Sequence, residues 1–303
     1  MSGAHLTFSY LPPYDHQALL KFLAQRAVPG LELCPDQDFQ FARVVRFTAD
    51  QQSHLGWVAL RFEPSAHQVH VMHSETLRPV LLQLMQQVRW ALDLEADPAA
   101  IEPVLAKDFS HCAGWRVPGT WDGFELAVRA ILGQQITVKA ARTLGQRLVN
   151  ALGAPCETPW LELNRTFPSA ATLALEENAA VMGSLGVVRQ RQKAIQGLAR
   201  AVESGALQLH AQAPLDPTLQ ALLALPGIGP WTAHYIAMRA LRWLDAWPVQ
   251  DVALQTALGV RQHPSPAQAV AQLGLAWQPY RSYALIAAWQ RLSASEEIDH
   301  EHH

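Results

Sequence analysis

The sequence predicts an α+β fold: a small N-terminal antiparallel sheet domain with two helices, then an all-α core of two helical subdomains. Three observations predict it. Apolar residues recur with a two-residue period in the first hundred positions and with a helical period after Asp97-Pro98. A dense run of chain breakers then divides the helical part.

In the first module, Phe39, Phe41, Val45 and Phe47 alternate with Gln40, Val44 and Arg46, and residues 57–62 and 69–72 are also strand-like. One helix follows Pro13-Tyr14-Asp15 and carries Leu19, Leu20, Phe22 and Leu23. A second covers residues 77–94, with Leu81, Leu84 and Val88 on one stripe. The domain boundary is read at residue 98, leaving 99–303 as the helical core.

In that core, a helix starts near Asp122 with Phe124, Ala127, Val128 and Ile131 on its inner face, and another runs from Thr137 to Leu152 and stops at Gly153. Asp and Thr open helices because their side-chain oxygens accept from first-turn amides that have no other partner. Gly153, Pro155, Pro159 and Pro168 mark the crossover between subdomains. Further helices are signalled from Ser169, over 187–204 before Gly205, and from Asp216-Pro217, Pro230 and Ser265-Pro266. The last helix, 279–294, is expected to pack back near the N-terminal domain.

A chain of 303 residues, 50% apolar and 16% charged, can bury more than one substantial core. No apolar run is long enough to span a membrane, and the first twenty residues lack a basic stretch followed by an apolar segment. No membrane partner is expected, and a cytoplasmic monomer is. Cys34, Cys112 and Cys156 are far apart and odd in number, so neither a disulfide framework nor a paired-cysteine metal site is indicated. The thirteen histidines do not form a zinc signature: His73-Ser74-Glu75 lacks the accompanying cysteine pair, and His300, His302 and His303 read as a solvated tail.

The net charge of −3 argues against a broadly basic nucleic-acid surface. It does not exclude a local grip on a few phosphates through backbone amides, and the acidic residues at 296–301 bias the total.

Residues 225–233 read Leu-Pro-Gly-Ile-Gly-Pro-Trp-Thr-Ala, with Leu219, Leu222 and Leu223 before and Tyr235, Met238 and Leu241 after. This is a helix-hairpin-helix pattern over 217–244. Pro226 ends one helix, Gly227 and Gly229 allow a tight turn, Ile228 plugs the space between the helices, and Pro230 begins the next. Amides near Gly227 and Gly229, at a helix N-terminus, suit an anion such as a DNA phosphate. Two glycines can also serve as a plain connector between core helices.

The chain resembles the helix-hairpin-helix DNA glycosylase superfamily and, within it, the 3-methyladenine DNA glycosylase II family of the AlkA type. The resemblance covers nearly the whole chain. It rests on Pro12-Pro13-Tyr14-Asp15 and Phe22, on Phe124-Glu125 through Ala130-Ile131-Leu132-Gly133-Gln134, on the hairpin, and on Arg281-Ser282-Tyr283-Ala284-Leu285.

By that resemblance Asp251, in Trp247-Pro248-Val249-Gln250-Asp251, is the catalytic carboxylate. Glycosidic cleavage develops positive charge on the sugar, which a carboxylate beside C1′ stabilises; orienting the attacking water is a second available role. Taken alone, an Asp before an apolar helical segment is a helix cap, and the two roles can coexist. Trp231 stands where bifunctional relatives carry a lysine, which implies a monofunctional hydrolase without a Schiff base. The iron-sulfur members need four grouped cysteines, and none lies beyond Cys156.

The resemblance also implies a base pocket of Phe22, Trp231, Tyr235 and Trp289, whose π-faces would attract a cationic alkylated base such as 3-methyladenine or 7-methylguanine. Such aromatics also serve as ordinary core. In the loop 133–137, Gln135 matches the wedge that fills the gap left by a flipped base, with Gln134 beside it. Val252 and Ala253 stand where bulkier side chains can occur, so the pocket reads as roomier. No cofactor is required, and a structural Na+ or K+ at the main-chain carbonyls of Leu223, Leu225 and Ile228 is implied. The expected partner is double-stranded DNA with damaged bases. Two rivals stay open: a non-catalytic DNA-binding protein, and a glycosylase for other lesions.

Overall fold

The computed structural model describes residues 3–35, 39–50 and 52–301, and the side chains of all of these except residues 111 and 293–301. His302 and His303 of the expected tail lie outside the described residues, as does the side chain of His300.

The α+β class read from the sequence is the observed one. Strands β1 (Ala4–Ser9), β2 (Glu32–Leu33), β3 (Phe41–Ala49), β4 (Gln52–Glu63) and β5 (Gln68–His73) form one antiparallel sheet in the order β1-β5-β4-β3-β2. Helix α1 (His16–Arg26) lies between β1 and β2, and α2 (Leu81–Ala91) follows β5.

Both faces of the central strands are covered. Phe41, Val45, Val58, Leu60 and Phe62 pack with Leu19 of α1 and with Leu84 and Val88 of α2. Ala42, Val44, Trp57 and Ala59 join the core of the helical region instead. A strand buried on both faces reads as a nearly continuous apolar run. Val44, assigned by the two-residue period to the phase of Gln40 and Arg46, is therefore buried.

The segment read as one helix over 77–94 divides into a 3-10 turn, Glu75–Val80, and α2, because Pro79 has no amide with which to continue a helical ladder. Strands β1 and β2 were not anticipated. The first is an edge strand that buries only Phe8, and the second is two residues long.

The helical part comprises α3 (Pro98–Leu105), α4 (Gly123–Leu132), α5 (Val138–Leu152), α6 (Ala170–Ala174), α7 (Glu177–Ser184), α8 (Arg189–Glu203), α9 (Leu215–Ala224), α10 (Pro230–Ala240), α11 (Val252–Ala257), α12 (Pro266–Gly274) and α13 (Arg281–Glu301). Three of the signalled caps form, whereas α9 starts at Leu215 with Asp216 inside its first turn and Ser265 makes no side-chain cap bond. Asp122 accepts from the amides of Phe124 and Glu125 at 2.8 and 3.1 Å, Thr137 from Ala140 at 3.2 Å, and Ser169 from Thr172 at 3.1 Å. Beyond Ser169 there are two short helices instead of one, and α13 continues past residue 294.

Helix α13 returns to the first module, where the Tyr283 hydroxyl donates to Asp93 at 2.7 Å, just beyond α2. Phe22 of α1 and Trp289 of α13 line a cavity of about 290 Å³ between them. A buried ion cluster joins sheet to helix: Arg43 of β3 bonds Glu32 at 3.0 Å and Glu125 of α4 at 2.6 Å, while Arg129 bonds the same two carboxylates at 3.0 and 2.9 Å. Breaking such a cluster leaves an uncompensated charge in a low-dielectric interior. Among the described residues, no helix is long and apolar enough to cross a membrane.

Candidate active site

The hairpin positions the start of α10. Helix α9 ends as the amide of Leu225 turns back to the carbonyl of Leu222, and the Ile228 amide donates to Leu225 at 3.1 Å. Ile228 is buried between the helices. Gly227 has φ 90°, and a Cβ there would lie 2.8 Å from the Cβ of Ala194 in α8, so conformation and space both demand glycine. Gly229 differs: its backbone is extended, and a Cβ would meet nothing within 4 Å. That open, exposed side faces the first turn of α10, where unpaired amides concentrate positive partial charge.

The loop after α4 is fastened to this hairpin. The Gln134 side-chain amide donates to the carbonyl of Gly227 at 2.9 Å and to the Thr232 hydroxyl at 3.1 Å. The main-chain carbonyl of Gln134 accepts from the Arg191 guanidinium of α8. Gln135 is exposed with φ 55°, a left-handed conformation that turns its backbone out of the run of α4. Of the two glutamines proposed for the wedge, Gln134 is thus engaged and Gln135 stands at the loop tip.

Beside the hairpin is a cavity of about 490 Å³ lined by Phe22, Trp231, Tyr235, Trp289, Asp251 and Ala253. Three of the aromatics come from distant sequence, Phe22 from α1, Trp231 from α10 and Trp289 from α13. Val252 is turned to solvent, 54% exposed, and does not line the cavity.

Asp251 is 6% exposed and caps α11 through Oδ1, which accepts the Leu254 amide at 2.6 Å. It does more than cap. The Trp289 Nε1–H donates to the same oxygen at 3.3 Å, and the Trp231 Nε1–H donates to Oδ2. Trp231 and Tyr235 stack with centroids 5.3 Å apart and an 8° angle between planes. Two indole edges therefore grip the carboxylate, and one of those indoles presents its face to the neighbouring phenol.

Sequence reasoning missed the cations of this cavity. The Arg26 guanidinium lies 3.7 Å from the Phe22 centroid and that of Arg239 lies 5.0 Å from it, so the Phe22 ring is already in cation–π contact. Arg239 donates to the Tyr235 hydroxyl at 2.5 Å and to the carbonyls of Pro118 and Gly119 at 2.7 and 2.8 Å. The available signal was spacing: Arg26 is four residues after Phe22, and Arg239 four after Tyr235, so each pair shares a helix face. Burial raises the Tyr235 pKa, but Arg239 and Arg26 outweigh it and the net shift is downward. Burial and the neighbouring Arg239 and Arg129 bring Arg26 down to about 10, where it stays charged at neutral pH.

Among the described residues, no group of three or more His, Cys, Asp or Glu is placed to hold a metal ion. Burial pushes the thiols of Cys34 and Cys112 up to about 11 and 12, away from nucleophilic use. For a monovalent cation the hairpin offers neutral oxygens: Leu223 lies in the last turn of α9, where carbonyls run out of helical partners, and Leu225 has a second lone pair beyond the one Ile228 uses. That donor set is compatible with a weakly held alkali ion.

Residues 5–122 match the family model of the AlkA N-terminal domain. The chain is 35% identical over 286 residues to the probable bifunctional transcriptional activator/DNA repair enzyme AlkA of Mycobacterium tuberculosis, covering 92% of this chain and 55% of that protein, so it spans about half of that relative's length. It is 30% identical over 286 residues to DNA-3-methyladenine glycosylase 2 of Escherichia coli, covering 93% of this chain and 96% of the relative. The 3-methyladenine DNA-glycosylase structure from Archaeoglobus fulgidus shares the fold, with a TM-score of 0.76 at 17% identity over 94% of this chain and 97% of that one. The chain belongs to the AlkA-type DNA-3-methyladenine glycosylase family.

Proposed function

We propose that this protein is a monofunctional DNA glycosylase of base-excision repair, which flips damaged bases, alkylated ones such as 3-methyladenine and 7-methylguanine among them, from double-stranded DNA and releases them by hydrolysis. The observation that carries the reading is the Asp251 carboxylate, held by one helix amide and two indole N–H groups on the wall of an aromatic cavity and joined through Trp231 to the hairpin.

The hairpin would bind the DNA backbone through amides at the open side of Gly229, without reading sequence. Gln135 would occupy the space of the extruded nucleotide, and Gln134 would transmit the position of the gripped strand to that loop. With the base in the cavity, Asp251 faces the sugar. As the C1′–N bond breaks, its negative charge stabilises the oxocarbenium-like sugar, and water completes the hydrolysis.

Trp231 and Trp289 position the carboxylate. Trp231 also occupies the place of a nucleophilic lysine, so no covalent sugar adduct forms. The carbonyls of Leu223, Leu225 and Ile228 would hold an alkali cation, which supplies positive charge near the gripped phosphate. On this reading the protein acts in the cytoplasm as a monomer.

The deciding experiment measures free bases released from dimethyl-sulfate-treated duplex DNA by the protein and by Asp251→Asn. Asn is as good a helix cap as Asp, so the fold is retained. Release is expected to fall by about 100-fold or more while DNA binding persists. Unchanged release would defeat the assignment.

A further inference from the structure

Three stretches of the chain, 126–156, 178–202 and 217–244, hold ten Lys or Arg and no Asp or Glu, although acidic residues outnumber basic ones overall, 26 to 23. They are distant in sequence and adjacent in the fold. The first contains the loop after α4 and helix α5, the second contains α8, and the third is the hairpin. Gln134 ties the loop to the hairpin, Arg191 of α8 binds the same loop, and α8 backs the hairpin where Ala194 meets Gly227. Arg147 of α5 donates to the carbonyl of Leu185 at 3.1 Å, in the turn that leads into α8. The negative total therefore conceals one continuous surface built from segments without a carboxylate.

Beside the hairpin and the loop, this surface is a basic ridge. Lys139 and Arg147 share a face of α5 with Thr143 between them, and Arg189 and Lys193 share a face of α8, about 6 Å apart along its axis. All four cations are exposed. Among the described residues, none of the four forms an ion pair. Like charges gathered on one surface repel one another, and a polyanion laid across them relieves that repulsion.

We infer that Lys139, Arg147, Arg189 and Lys193 form a second backbone grip, which holds phosphates of the strand opposite the extruded nucleotide. The inference rests on the glycosylase reading above. In a duplex the two backbones flank one stack of bases. If the hairpin holds the backbone of the damaged strand and Gln135 enters the stack, the other backbone passes on the far side of Gln135 from the hairpin. Lys139 stands four residues beyond Gln135 and opens the ridge there, and Arg147 carries it on to the start of α8. The contacts are to phosphate, so the grip reads no sequence. Its role is to keep the duplex in place while one nucleotide leaves the stack and the pairing on that side is lost.

The test measures affinity for a duplex carrying one 7-methylguanine, and for the damaged strand alone, between about 50 and 200 mM salt, where phosphate contacts dominate the salt dependence. It compares the unsubstituted protein with the double variant Arg189→Gln, Lys193→Gln, in which glutamine keeps the helix propensity of α8. A second double variant, Arg61→Gln, Lys107→Gln, removes the same charge from exposed sites away from the ridge. Each phosphate neutralised on a duplex adds about 0.9 to the slope of log affinity against log salt, so the ridge variant should lose about 2 from that slope and bind duplex about tenfold more weakly at low salt. Its affinity for the single strand should match that of the unsubstituted protein, and the second variant should change neither. An unchanged duplex slope, an equal loss on the single strand, or the same loss in the second variant each overturns the inference. No release of 7-methylguanine by the unsubstituted protein defeats the glycosylase reading, while the comparison of duplex with single strand still decides whether the ridge holds a second backbone.

Discussion

The indole nitrogen of Trp289 lies 3.3 Å from Oδ1 of Asp251, across 38 residues of sequence. With Trp231 on the other carboxylate oxygen, this fixes the rotation of the carboxylate at the cavity wall. A flexible carboxylate would lose part of its catalytic value by having to reorient as charge develops.

Removing either indole donor should therefore slow chemistry without unfolding the protein. Trp289→Phe keeps an aromatic ring and deletes one hydrogen bond to a charged acceptor, worth about 1.5–3 kcal/mol. Single-turnover base release is expected to fall at least several-fold, with the melting temperature little changed. An unaltered rate would mean that Asp251 is held well enough by the helix amide alone.

The two hairpin glycines should separate folding from binding. Gly227→Ala forces a side chain into a left-handed backbone and against Ala194, and is expected to cost about 1–3 kcal/mol in denaturant unfolding. Gly229→Ala meets no atom, so its stability should stay within about 0.5 kcal/mol of the parent while affinity for duplex DNA drops. Equal DNA affinity in Gly229→Ala would remove the hairpin from the binding surface.

Gln135→Ala should impair extrusion, seen as a smaller rise in fluorescence of a 2-aminopurine placed beside the lesion and as slower release from duplex DNA. Gln134→Ala breaks the bonds to Gly227 and Thr232, costing about 1 kcal/mol, and should weaken duplex binding. If Gln134→Ala, and not Gln135→Ala, abolished the fluorescence change, the assignment of the wedge would be reversed.

The buried cluster predicts a pH signature. Burial raises the Glu125 pKa, Arg43 and Arg129 outweigh it, and the folded value is lowered. A carboxyl depressed by folding stabilises the protein above its unfolded value of about 4.3, and that contribution fades as pH falls through the folded value. Glu125→Gln should cost about 3–5 kcal/mol at pH 7 in urea unfolding, and the gap to the parent should narrow below about pH 4. Burial raises Asp93 and Asp122 in the opposite sense, so the difference between the two proteins, and not the parent curve, is the quantity to read. A gap independent of pH would show that Glu125 contributes by shape alone.

Borohydride should trap no covalent complex between the protein and lesion-containing DNA, because Trp231 supplies no amine. A trapped adduct would overturn the monofunctional assignment.

Much of this protein was legible in the chain itself. The Leu-Pro-Gly-Ile-Gly-Pro run specifies the hairpin because proline and glycine act on the local backbone, and the caps at Asp122, Thr137 and Ser169 act within a single turn. Asp251 was singled out only by the family resemblance, since an aspartate before an apolar helical segment otherwise reads as a cap. Its neighbours were harder to read. A strand covered on both faces lost the alternation that marks strands, and Pro79 shortened a helix whose apolar stripe ran through it.

What the sequence by itself determined was local: where helices start, where the chain turns, and which residue types are available for chemistry. Only the tertiary structure decided that Phe22, Trp231 and Trp289 share one cavity, that Gln134 is tied to the hairpin while Gln135 stands free at the loop tip, and that Arg26 and Arg239 occupy the aromatic surface a cation would have sought. Capping and turn chemistry depend on neighbours within four residues, whereas the sign of the field inside a cavity depends on charges brought together from helices hundreds of residues apart.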